Sequence, residues 1–298
     1  MPILVDFNQT AISTLMAQMT PKEVEKFAPE HVPLLRHMIL NCLRSYRVKH
    51  HATFGELIIC TDNNSWRKGV FPQYKAHRHT ARAASAVDWK LIFDSLYDIQ
   101  RDLVAFFPYN VLNVPGAEAD DIIAVLCEYF QTHEYEQTGL FHETPQDILI
   151  MSGDKDFLQL HKYSNVKQYS PVLKKWLKPK TTWQAQLREL IIRGDKGDGI
   201  PNFKSADNVI VEGIRQTPIF DKDLPDYLKL EPEQFCVGNE LKYYRRNEQL
   251  IDLTQIPKAV KDNILEAYHD FEPAPRRNMR TYFIEHKMRN MIELVGDF

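Results

Sequence analysis

Four groups of carboxylates stand where this chain of 298 residues is expected to turn. Asp6, Asp62 and Asp154 follow apolar, β-branched runs: Ile3-Leu4-Val5, Leu57-Ile58-Ile59-Cys60-Thr61 and Ile148-Leu149-Ile150-Met151-Ser152-Gly153. Glu118, Asp120 and Asp121 open an apolar helical run, Asp156 lies two residues beyond Asp154, and Asp195 and Asp198 share a glycine-bearing loop. One aspartate after a strand is ordinarily a turn or a helix cap, and acids at a helix start ordinarily complement its positive end. Those readings do not explain four separated clusters, all at expected strand ends or loop-to-helix junctions, without enough neighbouring cations to neutralise them. Like charges gathered this way raise one another's pKa unless a cation intervenes. Oxygen-only donors suit magnesium or manganese rather than zinc. Two such ions about 4 Å apart stabilise the attacking and leaving oxygens of an in-line phosphoryl displacement, a chemistry that uses many carboxylates.

A basic segment accompanies the acids. From Asn63 to Val87 there is no acidic residue, while Arg67, Lys68, Lys75, Arg78 and Arg82 are joined by His77 and His79. Trp66, Phe71 and Tyr74 interleave with them, and cations mixed with aromatic faces are the usual means of holding single strands. The alternative is a solvated helix face. Two further basic groups, Lys242-Tyr243-Tyr244-Arg245-Arg246 and Arg276, Arg277, Arg280, Lys287 and Arg289, fit a duplex backbone or a solvated face equally well.

Convergence of the acids needs a parallel sheet, because ligands of open α/β sheets bind beyond the carboxyl ends of the strands. The apolar runs read as buried parallel strands. Segments with helical periodicity separate them, notably Leu34-Leu35-Met38-Ile39-Cys42-Leu43 and Ile122-Ile123-Val125-Leu126-Tyr129-Phe130, which predicts an α/β fold. After about Thr182 the pattern turns helical with proline-punctuated connections, so an α/β domain over 1–182 and a helical domain over 183–298 are expected. A content of 44% hydrophobic and 26% charged residues fits a globular protein, and the net charge of −3 averages over acidic and basic regions. Cys42, Cys60, Cys127 and Cys236 have no Cys-x-x-Cys spacing and read as reduced thiols. No basic leader or membrane-length apolar run is present, so the cytosol is expected. Calcium loops of EF-hand type are excluded by Leu158, Gln159 and Ala206 at ligand or glycine positions, and no nucleotide-binding glycine loop occurs.

In order, Val5-Asp6-Phe7, Thr61-Asp62-Asn63, Tyr74-Lys75-Ala76-His77-Arg78, Glu118-Ala119-Asp120-Asp121, Ser152-Gly153-Asp154-Lys155-Asp156-Phe157 and Gly194-Asp195-Lys196-Gly197-Asp198 resemble the flap endonuclease and 5′-3′ exonuclease family, its phage members most of all. The resemblance spans nearly the whole chain. It implies a PIN-like, mainly parallel sheet flanked by helices, a helical arch or bridge at about 63–88, and a smaller C-terminal helical region. It also implies a magnesium-dependent 5′ nuclease using two ions, with manganese a substitute, that cuts branched or nicked DNA and RNA/DNA duplexes and removes RNA primers in phage-type replication inside the host bacterial cytosol. Asp6, Asp62, Glu118, Asp120 and Asp154 correspond to ligands of the first metal, and Asp156, Asp195 and Asp198 to those of the second, with Asp121 supporting either through water. Lys75 corresponds to the active-site lysine and Arg78 to a phosphate-binding arginine; Arg67, Lys68, Tyr74, Arg82 and Lys204 complete the expected nucleic-acid contacts. The family's helix, three-turn, helix element should begin near Asp195, but Gly199-Ile200-Pro201-Asn202-Phe203-Lys204 lacks its further glycines.

Three other readings compete. A haloacid-dehalogenase-like phosphatase needs an acid at Asn8; a PIN-type ribonuclease lacks the basic insertion and long helical tail; a binding-only protein has no use for so many acids. The partners expected are nucleic acid, a replication clamp and a single-strand DNA-binding protein, with no membrane, and a monomer is expected. The acidic and apolar segment Glu293-Leu294-Val295-Gly296-Asp297-Phe298 is the expected protein-docking element.

Overall fold

The structure, a computed structural model, describes residues 2–132 and 147–298. Six strands form one sheet: β1 (Ile3–Asp6), β2 (Leu57–Cys60), β3 (Asn110–Leu112), β4 (Ile148–Met151), β5 (Val166–Ser170) and β6 (Lys175–Leu177). Their order is β3-β2-β1-β4-β5-β6, parallel throughout except for β6. All four residues of β1, β2 and β4 are buried, as apolar runs covered on both faces must be.

Side chains alternate between two cores. Ile3, Val5, Leu57, Ile59, Leu149 and Met151 face a layer built from α1 (Phe7–Gln18), α2 (Val32–Phe54) and α4 (Trp89–Phe106). Leu4, Ile58, Ile148 and Ile150 face α5 (Ala119–Thr132) and α8 (Lys258–Asp270). Here α3 is Ala76–Ala83, α6 Trp183–Arg193, α7 Glu240–Ile251 and α9 Arg277–Glu285, shorter helices being left unlabelled. A third core joins Ile191 and Ile192 of α6 to Tyr244, Leu250 and Ile251 of α7, and takes in Phe71 and Tyr74 from the basic segment.

At Thr182, where a domain boundary is expected, the hydroxyl caps α6 through Ala185 N. The chain beyond it nevertheless fills the cores of the sheet: Met279, Tyr282 and Phe283 lie in the first, Leu253, Ile256 and Ile264 in the second. Between Gly199 and the helix that begins at Leu224 the chain forms turns and irregular segments. Pro201 removes a helical donor, and the Arg246 guanidinium takes the Pro201 carbonyl at 2.9 Å and the Asp207 carboxylate at 2.5 Å, so this loop closes on a side chain.

The aromatic of the expected docking segment 293–298 is not at the surface. Phe298 is fully buried, its ring centroid 5.6 Å from Phe107 and 5.4 Å from Phe283, and Asp297 pairs with Arg44 at 2.5 Å. Met288 and Met291 are core residues. Among the described residues no helix is long and apolar enough to cross a membrane.

Candidate active site

The strand ends do bring carboxylates together. Asp6 ends β1 and caps α1, accepting from Gln9 N at 3.0 Å and from the Ser152 hydroxyl at 3.1 Å. Asp62 follows β2, and its Oδ1 accepts from Ala119 N at 2.9 Å, which ties it to the first turn of α5, where Asp120 stands. Asp154 follows β4 and accepts from Asp156 N at 3.0 Å. Asp6, Asp62, Asp120, Asp154 and Asp198 line one cavity of about 320 Å³, and Lys75 and Arg78 close its other side. Asp156 lies next door, in a cleft with Lys155 and Arg193, and its Oδ1 is buried without a hydrogen-bond partner.

The acids fall into two electrostatic classes. Burial and the neighbouring Asp62 push the Asp6 carboxyl up to about 7. Burial also raises Asp120, with Asp154 and Asp6 adding to it, and raises Asp154 and Asp156, with Asp198 and Asp195 adding to both. Glu118 behaves oppositely: burial would raise it, but Lys75 and Arg67 outweigh burial and hold it low. It receives Lys75 Nζ at 2.6 Å, the Tyr74 hydroxyl at 2.8 Å and the Ser65 hydroxyl at 2.8 Å.

The cations are fixed by the loop that carries Asp195 and Asp198. Gly194 at φ +68° opens it, where a side chain would collide with the Ile200 and Pro201 backbone. Asp195 Oδ1 accepts from Gly197 N at 2.7 Å and Asp198 N at 3.3 Å, and its Oδ2 pairs with Lys155 at 3.0 Å. Arg78 binds Asp198 Oδ1 at 2.6 Å and the Gly197 carbonyl at 2.9 Å. Lys75 sits in the left-handed region at φ 56°, its amide donating to the Asp198 carbonyl at 2.8 Å. Such a backbone costs about 1–3 kcal/mol and persists where surroundings impose it, often at functional sites. Burial would lower the Lys75 pKa, but Asp198 and Glu118 outweigh it and keep the ammonium charged.

Several sequence expectations are corrected. Arg67 is 3% exposed; it pairs with Asp121 at 2.9 Å and with Glu118 at 3.2 Å, and donates to the Leu250 carbonyl at 2.8 Å, so it is not a nucleic-acid contact. Asp121 is fully buried in that pair and also accepts from Glu118 N, which leaves it no face toward a metal. Tyr74 and Phe71 are buried and offer no ring for stacking; the Tyr74 hydroxyl lies between Glu118 and Asp198. Lys204, by contrast, stays half-exposed, donating to the Tyr227 hydroxyl at 2.9 Å and lying over the Phe203 ring. Lys68 and Arg82 are exposed as expected, and Arg82 also lies 4.6 Å above the Phe93 ring at the cavity wall.

Sequence reasoning missed four neutral residues. Gln9 Oε1 accepts from Gly153 N at 2.5 Å and from the Ser152 hydroxyl at 2.9 Å, and Gln168 Nε2 holds the carbonyls of Ser152 at 3.0 Å and Asp154 at 2.6 Å. Trp89 and Phe93 of α4 form an aromatic wall of the cavity. Gln9 falls one turn beyond a predicted ligand, the only signal available.

Among the described residues no three acid, imidazole or thiol side chains close into a finished cage. The donor set still fits hard divalent cations: it is oxygen only, and its members Asp6, Asp120, Asp154 and Asp156 carry desolvated charge without a protein cation sufficient to offset it. Magnesium keeps several waters and takes only one or two carboxylates directly, so a tight cage is not required.

An open, mostly parallel α/β sheet with acids massed at its carboxyl edge and cations facing them defines a class of phosphoryl-transfer folds. The chain belongs to the 5′-3′ exonuclease family: residues 4–188 match its N-terminal resolvase-like domain, and residues 185–298 match the C-terminal domain of T4 RNase H. Ribonuclease H of Enterobacteria phage T4 is 33% identical over 307 residues, covering 99% of this chain and 95% of that protein. A T5 5′-exonuclease solved with bound divalent metal ions (zinc) has the same fold, with a TM-score of 0.59 at 15% identity over 91% of this chain and 98% of that one. A phage T5 flap endonuclease solved with DNA and metal ions superposes with a TM-score of 0.53 at 16% identity, over 90% of this chain and 99% of that one.

Proposed function

We propose that this chain is a divalent-metal-dependent 5′ nuclease, with magnesium as the working ion, that hydrolyses phosphodiester bonds in branched or nicked DNA and in RNA/DNA duplexes. The observation that carries this reading is the cavity in which Asp6, Asp120 and Asp154 face Lys75 and Arg78. Acids alone repel a polyanion and cations alone bind it without cutting; the two together suit a phosphate held against metal. Asp6, Asp62, Asp120 and Asp154 would hold one ion, with Glu118, expected among them, engaged by Lys75, Tyr74 and Ser65, and Asp156, Asp195 and Asp198 would position a second. When bound, such ions supply Lewis-acid stabilisation of charge on the attacking and leaving oxygens.

The chain's own groups do the rest. Lys75 and Arg78 grip the scissile phosphate, and their fixed positions mean that little reorganisation accompanies the growth of charge. Trp89, Phe93 and Arg82 form a wall against which the adjacent nucleotide packs. Membership of the 5′-3′ exonuclease family supports 5′ polarity, and a relative named ribonuclease H supports action on RNA/DNA hybrids and removal of RNA primers in the cytoplasm of a host cell. A clamp or single-strand-binding protein would have to dock somewhere other than the buried Phe298. The test is incubation with end-labelled flap, nicked and RNA/DNA duplexes, with magnesium and with EDTA. Short products released from 5′ ends only with magnesium are expected; no product, or equal product in EDTA, overturns the reading.

A further inference from the structure

The longest acid-free stretch lies outside the catalytic cleft. From Phe157 to Arg188 the sequence has seven Lys and Arg residues and no Asp or Glu. This stretch includes β5, β6 and the start of α6. With the C-terminal end of α2, it encloses a cavity of about 970 Å³, within the range of small-ligand sites. The cavity is lined by the amino-terminal half of β5, the last residues of β6 and the helix end that precedes β2, and one wall residue, Gln168, also holds the Asp154 loop.

Its walls are aromatic and its rim is cationic. Trp176, 48% exposed, stands 6.1 Å from His50 and 6.4 Å from Phe54 between ring centroids, and Trp183 faces the same space. Lys167 lies 5.5 Å above the Phe54 ring, with Asp147 its only ion-pair partner in the described residues, while Lys178 is exposed and has none there. In the wall His161 and Gln168 are neighbours; burial lowers the imidazole pKa, and the hydrogen bond between the two raises it against that burial.

We propose that this cavity binds a nucleotide in single-stranded form, its base stacked against Trp176 and the neighbouring rings and its phosphate on Lys178 and Lys167. Flat faces beside cations are the combination that holds single-stranded nucleotides without regard to sequence. An acidic peptide would satisfy the lysines but leave the aromatic faces without matching groups. The nucleotide comes either free, as a mononucleotide, or within a strand. The site stands on this cavity alone and does not depend on the catalytic reading.

The test keeps the full chain in EDTA, where no cutting is expected, and follows tryptophan fluorescence during titration with thymidine 5′-monophosphate and with a short oligothymidylate. Quenching by either ligand is expected. Saturation by the mononucleotide at comparable concentration identifies the free form; a much tighter oligothymidylate identifies a strand. Lys178→Glu, on the surface, and Trp176→Ala should each weaken binding by about tenfold or more, the scale of one lost stacking or phosphate contact. Cleavage of nicked duplex at saturation should be unchanged in Lys178→Glu. Equal affinities in wild type and Lys178→Glu overturn the proposal, as does displacement of the nucleotide by oligoglutamate at equal concentration, which would make the surface a dock for acidic protein.

Discussion

The Lys75 ammonium lies 2.6 Å from Glu118 Oε1 and 3.6 Å from Asp198 Oδ2, so two carboxylates already hold it where a phosphate must come. Glu118 is in turn kept ionised by Lys75 and Arg67. An arriving phosphate therefore shares a pre-positioned cation and need not recruit a flexible one. Lys75→Ala should lower single-turnover cleavage by about two to three orders of magnitude, the scale of losing one pre-organised stabiliser, with binding changed far less. A variant with intact maximal rate, weaker binding and a salt slope reduced by about one would make Lys75 an ordinary phosphate contact.

Arg67 should behave as a structural residue. Removing one partner of a buried ion pair strands the other, at a cost of about 3–5 kcal/mol, and the Arg67 and Asp121 side chains are only 4% and 0% exposed. Arg67→Ala should lower the denaturation midpoint strongly, and Arg67→Ala with Asp121→Ala should be less destabilised than the sum of the singles. Chemical denaturation of the three variants measures this. A single variant of wild-type stability whose DNA binding has lost salt dependence would restore the surface contact inferred from sequence.

The pH dependence follows from Asp6. Its folded pKa, about 7, lies above the ordinary 3.8, so the protonated form is favoured by folding. The resulting stability is complete below about 3.8 and is lost as pH rises through about 7. Asp120, Asp154 and Asp156 are shifted in the same direction. In EDTA the melting temperature should therefore fall between about pH 4 and pH 7, and added magnesium should restore it most at the higher pH, because ligands must shed protons to bind. Calorimetry in buffers of different ionisation enthalpy should detect proton release on binding. A melting temperature that rises with pH in EDTA, or magnesium binding without proton release, contradicts the assignment.

The acids were legible because strand and site share one cause: a run such as Ile3-Leu4-Val5 must be buried, and the first polar residue after it must emerge at the sheet edge. Alternation within β1 also sends Leu4 to one core and its neighbours to the other. The basic segment misled because type and spacing do not reveal depth. Arg67, Lys75 and Arg78 look alike in sequence, yet the third core swallows Phe71 and Tyr74 and drags Arg67 beneath the surface, while Lys75 and Arg78 stay at the cleft. Phe298 misled similarly, since only the fold shows the aromatic cluster it enters. Gln168 is tied to the Asp154 loop across 14 residues by pairing of β4 with β5, which no local pattern announces.

The last expectation separates the carboxylates by position. Asp120 and Asp154 line the cavity with desolvated charge, whereas Asp195 is occupied in capping its own loop and in pairing with Lys155. Asp198 lines the cavity too, but Arg78 and the Tyr74 hydroxyl already engage it. Replacing an acid removes negative charge from a site that must accept a polyanion, so binding without metal need not fall. Asp120→Asn and Asp154→Asn should retain flap-DNA binding in calcium but lose cleavage by at least about two orders of magnitude. Asp195→Asn and Asp198→Asn should lose less and recover in part with more magnesium, because groups acting through a second ion tune its occupancy before they touch the chemistry. Single-turnover cleavage across a magnesium titration distinguishes the cases. Full activity in Asp154→Asn would remove the metal site proposed here, while equal and unrecoverable losses in all four would keep metal catalysis and reject the division of labour.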